Sequence, residues 1–113
     1  MRRWVSALLV SPAANLSSLR AYLDALETDA QLRERRTERQ RTRARVVRDY
    51  LVALDRCGTA RIPKPESLAA ALLTLIDATL RSAVTSGIRP EPSVVEGVCD
   101  VFERAIFSAC AKR

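Results

Sequence analysis

Two segments near the carboxyl end of the sequence are apolar on more sides than a single neighbour can cover. Residues 68–76, LAAALLTLI, are interrupted only by Thr74. A helical stripe through Leu68, Leu72, Leu75 and Thr79 leaves Leu73, Ile76 and Leu80 on other faces. The last segment repeats the pattern, with Val95, Cys99, Phe102 and Ile106 on one face and Val94, Val98, Val101 and Ala105 on another. A helix apolar over most of its circumference must be buried from several directions. A chain of 113 residues forms one domain by size, here residues 1–113. Its first helix is short and its third partly polar, so the surplus apolar faces ask for a partner. The economical solution is a two-fold homodimer whose fourth and fifth helices form a four-helix bundle. Leu72, Ile76, Leu80, Val95, Cys99, Phe102 and Ile106 are the expected interface residues, with Ala69, Ala70, Ala71, Ala78 and Ala105 letting backbones approach.

The class that follows is all-α, a five-helix bundle-like domain. Only three glycines are present, too few for a fold built on tight hairpins. Alanine, leucine and arginine dominate, all strong helix formers. The first helix is expected over residues 2–10, stopped at Ser11-Pro12 because proline cannot continue a helix. A second runs from Pro12 or Leu16 to Glu27, with Asn15 as its cap. Thr28 or Asp29 caps a long third helix that Gly58 ends in a left-handed turn. The proline-marked loop GTARIPKPE leads to a fourth helix from Pro65, closed by Gly87. A fifth runs from Pro92 to Ala111, with Lys112 and Arg113 at its favourable end.

Residues 33–48 carry Arg33, Arg35, Arg36, Arg39, Arg41, Arg43, Arg45 and Arg48. Eight arginines against Glu34 and Glu38 give +6, equal to the formal charge of the whole chain. The protein is neutral apart from this one basic surface. Val47, Tyr50, Leu51 and Leu54 form a packing stripe behind it, but residues 33–43 hold nothing apolar. Such a segment serves as a solvated helical extension braced by pairs like Glu38 with Arg41 or Arg35. Alternatively it binds nucleic acid, or an acidic protein partner. Against phosphate tracking stand the two glutamates, the missing leucine heptad and the lack of interleaved aromatics.

Much chemistry is disfavoured by what the sequence lacks. There is no histidine, which removes the commonest general base and metal ligand together. Cys57, Cys99 and Cys110 are widely spaced with no paired motif, and read as small buried residues of a reducing compartment. No glycine-rich phosphate loop is present. The expectation is a non-enzyme with no cofactor and no metal. The opening MRRWVSALLVSPAA is short and interrupted for an export signal. No stretch reads as the ~18 apolar residues that span a bilayer. A cytoplasmic protein without membrane contact is expected.

The sequence LRAYLDALETDAQLRERR, continuing through RARVVRDYLVALDRCGTARIPKPESLAAALLTLIDATLRSAV, resembles the carboxyl-terminal regulatory domain of TetR-type transcriptional repressors. Where that family often carries an acidic residue followed by glycine, this chain has Asp77 followed by Ala78. The resemblance implies a ligand-sensing and dimerisation domain that dimerises through its last two helices. It also implies DNA contact only through a missing N-terminal helix-turn-helix domain, since the sequence opens directly at MRRWVSALL. An apolar or amphipathic small molecule would then sit between helices. Trp4, Leu8, Tyr22, Leu26, Tyr50 and Leu54 are the candidate pocket, where rings give area and hydroxyls give direction.

Overall fold

The computed structural model describes residues 1–111, with side chains through Phe107. Lys112, Arg113 and the side chain of Cys110 lie outside the described residues. The described chain is all-α: α1 (Arg2–Ala13), α2 (Leu16–Thr28), α3 (Ala30–Arg56), α4 (Pro65–Ser86) and α5 (Pro92–Ala111).

Most boundaries follow local chemistry. Asn15 accepts from the Ser18 amide at 3.0 Å, and Asp29 accepts from the Leu32 amide at 3.1 Å. These caps satisfy amides that a first turn leaves without partners. Gly87 closes α4 at φ 69°, and Gly58, at φ 74°, turns the chain just after α3. Pro65 begins α4, where its missing N–H costs nothing. The first helix departs from expectation by running through Ser11 and Pro12 to Ala13. Pro12 falls in its last turn, so the ring forfeits one hydrogen bond without ending the helix.

α4 is the central element. It packs along α3 and also against α1 and α2, while α1 rests on both α4 and α5. α4 and α5 touch each other only slightly. This order corrects the expected dimer interface. Leu72, Ile76, Cys99, Phe102 and Ile106 are each at most 4% exposed within one chain, and Leu80 and Val95 are half-buried against the same core. α1 is the reason, since Val5 and Leu9, both 0% exposed, take the place expected for a second copy. The loop after α3 contributes too. Ala60 and Ile62 are buried, and the Ile62 amide donates to Asp55 Oδ1 at 3.4 Å.

α4 is long and apolar enough to cross a bilayer by length and composition, contrary to expectation. Its leucines and alanines outweigh Asp77 and Arg81 in such a sum. α1, α2 and α3 pack against it, yet only 22% of that apolar window is buried inside the fold. Asp77, held by Arg36 and Arg81, would be a costly group in lipid.

Polar contacts lock the periphery. Arg2 bridges Asp100 at 2.9 Å and Glu103 at 3.1 Å, joining α1 to α5. The hydrogen bond to Asp100, then that to Glu103, holds this guanidinium well above its ordinary pKa. Arg89 donates to the Ala14 carbonyl at 2.8 Å, tying the α4–α5 loop to the end of α1. Cys99 is buried as expected, whereas Cys57 is exposed because it follows α3 at the edge of the loop.

Candidate ligand-binding cleft

The second half of α3 places Val46, Val47, Tyr50 and Leu51 at i, i+1, i+4 and i+5, which brings them to one side of the helix. Val47 and Leu51 turn into the core, while Val46 and Tyr50 remain 59% and 46% exposed. Met1 and Trp4 at the start of α1 lie opposite. Leu72 of α4 with Phe102 and Ile106 of α5 close the cleft. The cleft, partly open to solvent, has a volume of about 250 Å³, just below the ~300–1,000 Å³ usual for small-molecule sites. Burial of a bulky apolar group here would replace water on an almost wholly apolar lining.

Exposure singles out the same place. Seven large apolar side chains are exposed among the described residues, and Trp4, Val46 and Tyr50 are three of them. Among the described residues, no partner takes the Trp4 indole N–H or the Tyr50 hydroxyl. A ring pair with free polar edges around an apolar cleft can hold an apolar body and orient a polar group.

Of the six expected pocket residues, the cleft brings together Trp4 and Tyr50. Leu8 and Leu54 are half-buried against the core instead. Leu26 is buried elsewhere, and Tyr22 accepts a hydrogen bond from Arg39 Nη2 at 3.1 Å with that guanidinium 5.8 Å from its ring. α2 packs on α3 and α4 away from the cleft, so its side chains cannot reach it. Met1, Val46, Val47, Leu51, Leu72, Phe102 and Ile106 were missed as cleft residues. The adjacent Val46 and Val47 carried a signal, since only one can sit at the centre of a core stripe.

The arginine segment is partly structural. Arg33 Nη1 donates to the Leu26 carbonyl at 2.7 Å and the Glu27 carbonyl at 3.0 Å, satisfying the end of α2. Arg36 pairs with Asp77 of α4 at 2.9 Å, and Arg39 meets Tyr22 of α2. Arg48 pairs with Asp49 at 2.9 Å and Glu66 at 3.6 Å; chiefly the Asp49 hydrogen bond raises its pKa. Arg41 pairs with Glu38 as expected. Arg35, Arg43 and Arg45 are exposed and have no ion-pair partner among the described residues.

A larger depression of about 870 Å³ runs past Arg48, Asp49, Arg56, Cys57, Lys64 and Glu66. It is a wide trough open to water, and its carboxylates already face Arg48. The smaller apolar cleft is the better-formed site. Comparison with protein-family models, curated proteins and solved structures finds no match.

Proposed function

We propose that the chain is the ligand-sensing and dimerisation domain of a transcriptional regulator. The observation that carries this reading is the apolar cleft where α1, α3, α4 and α5 meet. An occupant touching four helices at once favours one arrangement of them over another, which is what a sensing domain requires.

Self-association has separate support in the exposed area. The chain exposes 7,664 Å², whereas a compact monomer of 12.5 kDa exposes roughly 6,200 Å² by size scaling. That surplus includes the polar arginine segment of α3, so the apolar side chains within it are what bear on association. Ile88, Val94 and Val101 are 67%, 45% and 50% exposed. Ile88 and Val94 lie beside Ala78 and Ser82 of α4. On this reading the homodimer contact would use this outer face, in place of the seven side chains engaged in the core.

The test fuses the chain to a DNA-binding head that represses only as a dimer. Repression is expected, with loss on Val101→Arg and modulation by a molecule that fills the cleft. A fusion that never represses, from a chain that sediments as a monomer at every concentration, contradicts the reading.

Arg35, Arg43 and Arg45 favour a second reading, binding of nucleic acid or an acidic partner. With three free arginines, the logarithmic salt slope on duplex DNA should reach about −3. Absent or salt-insensitive binding removes the nucleic-acid option.

A further inference from the structure

We infer that the cleft takes a medium-chain carboxylate, its chain lying between Trp4 and Tyr50 and its head at Arg43. This rests on the sensing role proposed above and names the class of ligand sensed. The first ground is the sign of the polar groups at the mouth. The indole of Trp4 can only donate, and the hydroxyl of Tyr50 has a free proton to give. Arg43 precedes Val46, Val47 and Tyr50 by three, four and seven residues, which puts it on the cleft side of α3 one turn away. It stands just outside the cleft lining, is exposed, and has no carboxylate partner among the described residues.

The second ground is where the neighbouring acids are. No carboxylate lines the cleft. Asp49 is held by Arg48, and Asp100 and Glu103 by Arg2. Among the described residues, the mouth therefore offers donors, and Arg43 a positive charge one turn away, that no carboxylate answers. A bound acceptor anion answers them, and a guanidinium suits a carboxylate by its two-pronged geometry.

The third ground is size. A space of about 250 Å³ holds roughly eight groups at the ~30 Å³ that one water occupies in the liquid. A methylene is of similar size, so the space suits a chain of about eight carbons, and a much longer chain would have to leave part of itself outside the cleft. The lining is aliphatic and aromatic, as such a chain requires.

Trp4 is the one tryptophan in the sequence, so its fluorescence reports occupancy of the cleft. The experiment titrates the whole protein with octanoate, 1-octanol and octyltrimethylammonium, and repeats this on Arg43→Gln and Arg45→Gln. Both arginines are exposed and unpaired, so both variants keep the fold, checked by circular dichroism. Octanoate should bind at least about tenfold more tightly than 1-octanol, the cation weakest. Arg43→Gln should erase that preference and Arg45→Gln should keep it. Equal binding of octanoate and 1-octanol, unchanged by Arg43→Gln, overturns the carboxylate assignment while leaving an apolar sensing cleft. An equal loss in both variants overturns it as well, since net charge alone would then be at work. Failure of all three probes to change Trp4 emission overturns both this inference and the sensing role beneath it.

Discussion

Replacing Arg36 by Gln and Asp77 by Asn, singly and together, measures how firmly the arginine segment is fastened to the fold. Arg36 Nη2 lies 2.9 Å from Asp77 Oδ1, with side chains 24% and 41% exposed. Fully exposed pairs contribute about 0.2–1 kcal/mol, and hydrogen bonds to charged groups about 1.5–3 kcal/mol. Partial burial puts this pair between those ranges, and the exposure of Asp77 pulls it toward the lower one. A coupling energy of about 1 kcal/mol is expected. Arg81 Nε also donates to Asp77, at 2.9 Å, so Asp77→Asn alone should cost more than Arg36→Gln, and only the double-mutant cycle isolates the interhelical pair. At roughly 2.1 cal/mol/K per residue, 113 residues unfold with an entropy near 0.24 kcal/mol/K, so loss of the pair should lower Tm by about 4 °C. Urea and thermal unfolding of the four proteins supply the cycle, and 1 M salt should shrink the coupling. A coupling within about 0.3 kcal/mol of zero, the scatter of independent sites, would refute the docking of this half of α3 on α4.

Phe102 is 1% exposed and the largest fully buried side chain, so Phe102→Ala should destabilise by about 3–5 kcal/mol. A urea midpoint showing less than about 1 kcal/mol would place that ring outside the core. Asn15→Ala should cost about 1 kcal/mol through the lost cap on α2, read as faster hydrogen exchange at its first turn. Thiol labelling followed by mass spectrometry should modify Cys57 in the native protein and reach Cys99 only on unfolding, because one is exposed and the other buried.

Local signals in the sequence were sufficient for the helices. Asn15, Asp29, Pro65 and Gly87 act through contacts a few residues long, and each does in the structure what its chemistry requires. Pro12 misled because a proline in the last turn forfeits a single bond. The apolar excess of the last two helices was also legible, but not its destination. Periodicity identifies a face as buried without naming what covers it. Phe102 and Ile106 were assigned to a second copy, yet α1 of the same chain supplies the cover. The cleft was half legible for the same reason. Trp4 and Tyr50 were picked out by their type, but Tyr22 was equally attractive, and only the crossing of α1 over α4 and α5 separates them. In the arginine segment a run of like charges read as a wet face. The partners of Arg33, Arg36 and Arg39 are carbonyls, a carboxylate and a ring on other helices, which no local pattern reveals.

The claim that the meeting point of α1, α3, α4 and α5 is a binding site is tested most directly by mapping chemical shifts of isotopically labelled protein during titration with octanoate and 1-octanol. Saturable changes are expected at the indole of Trp4 and at Tyr50, Leu72, Phe102 and Ile106, with α2 undisturbed. Changes gathered around Tyr22 and Leu26, or none that saturate with either compound, would contradict it.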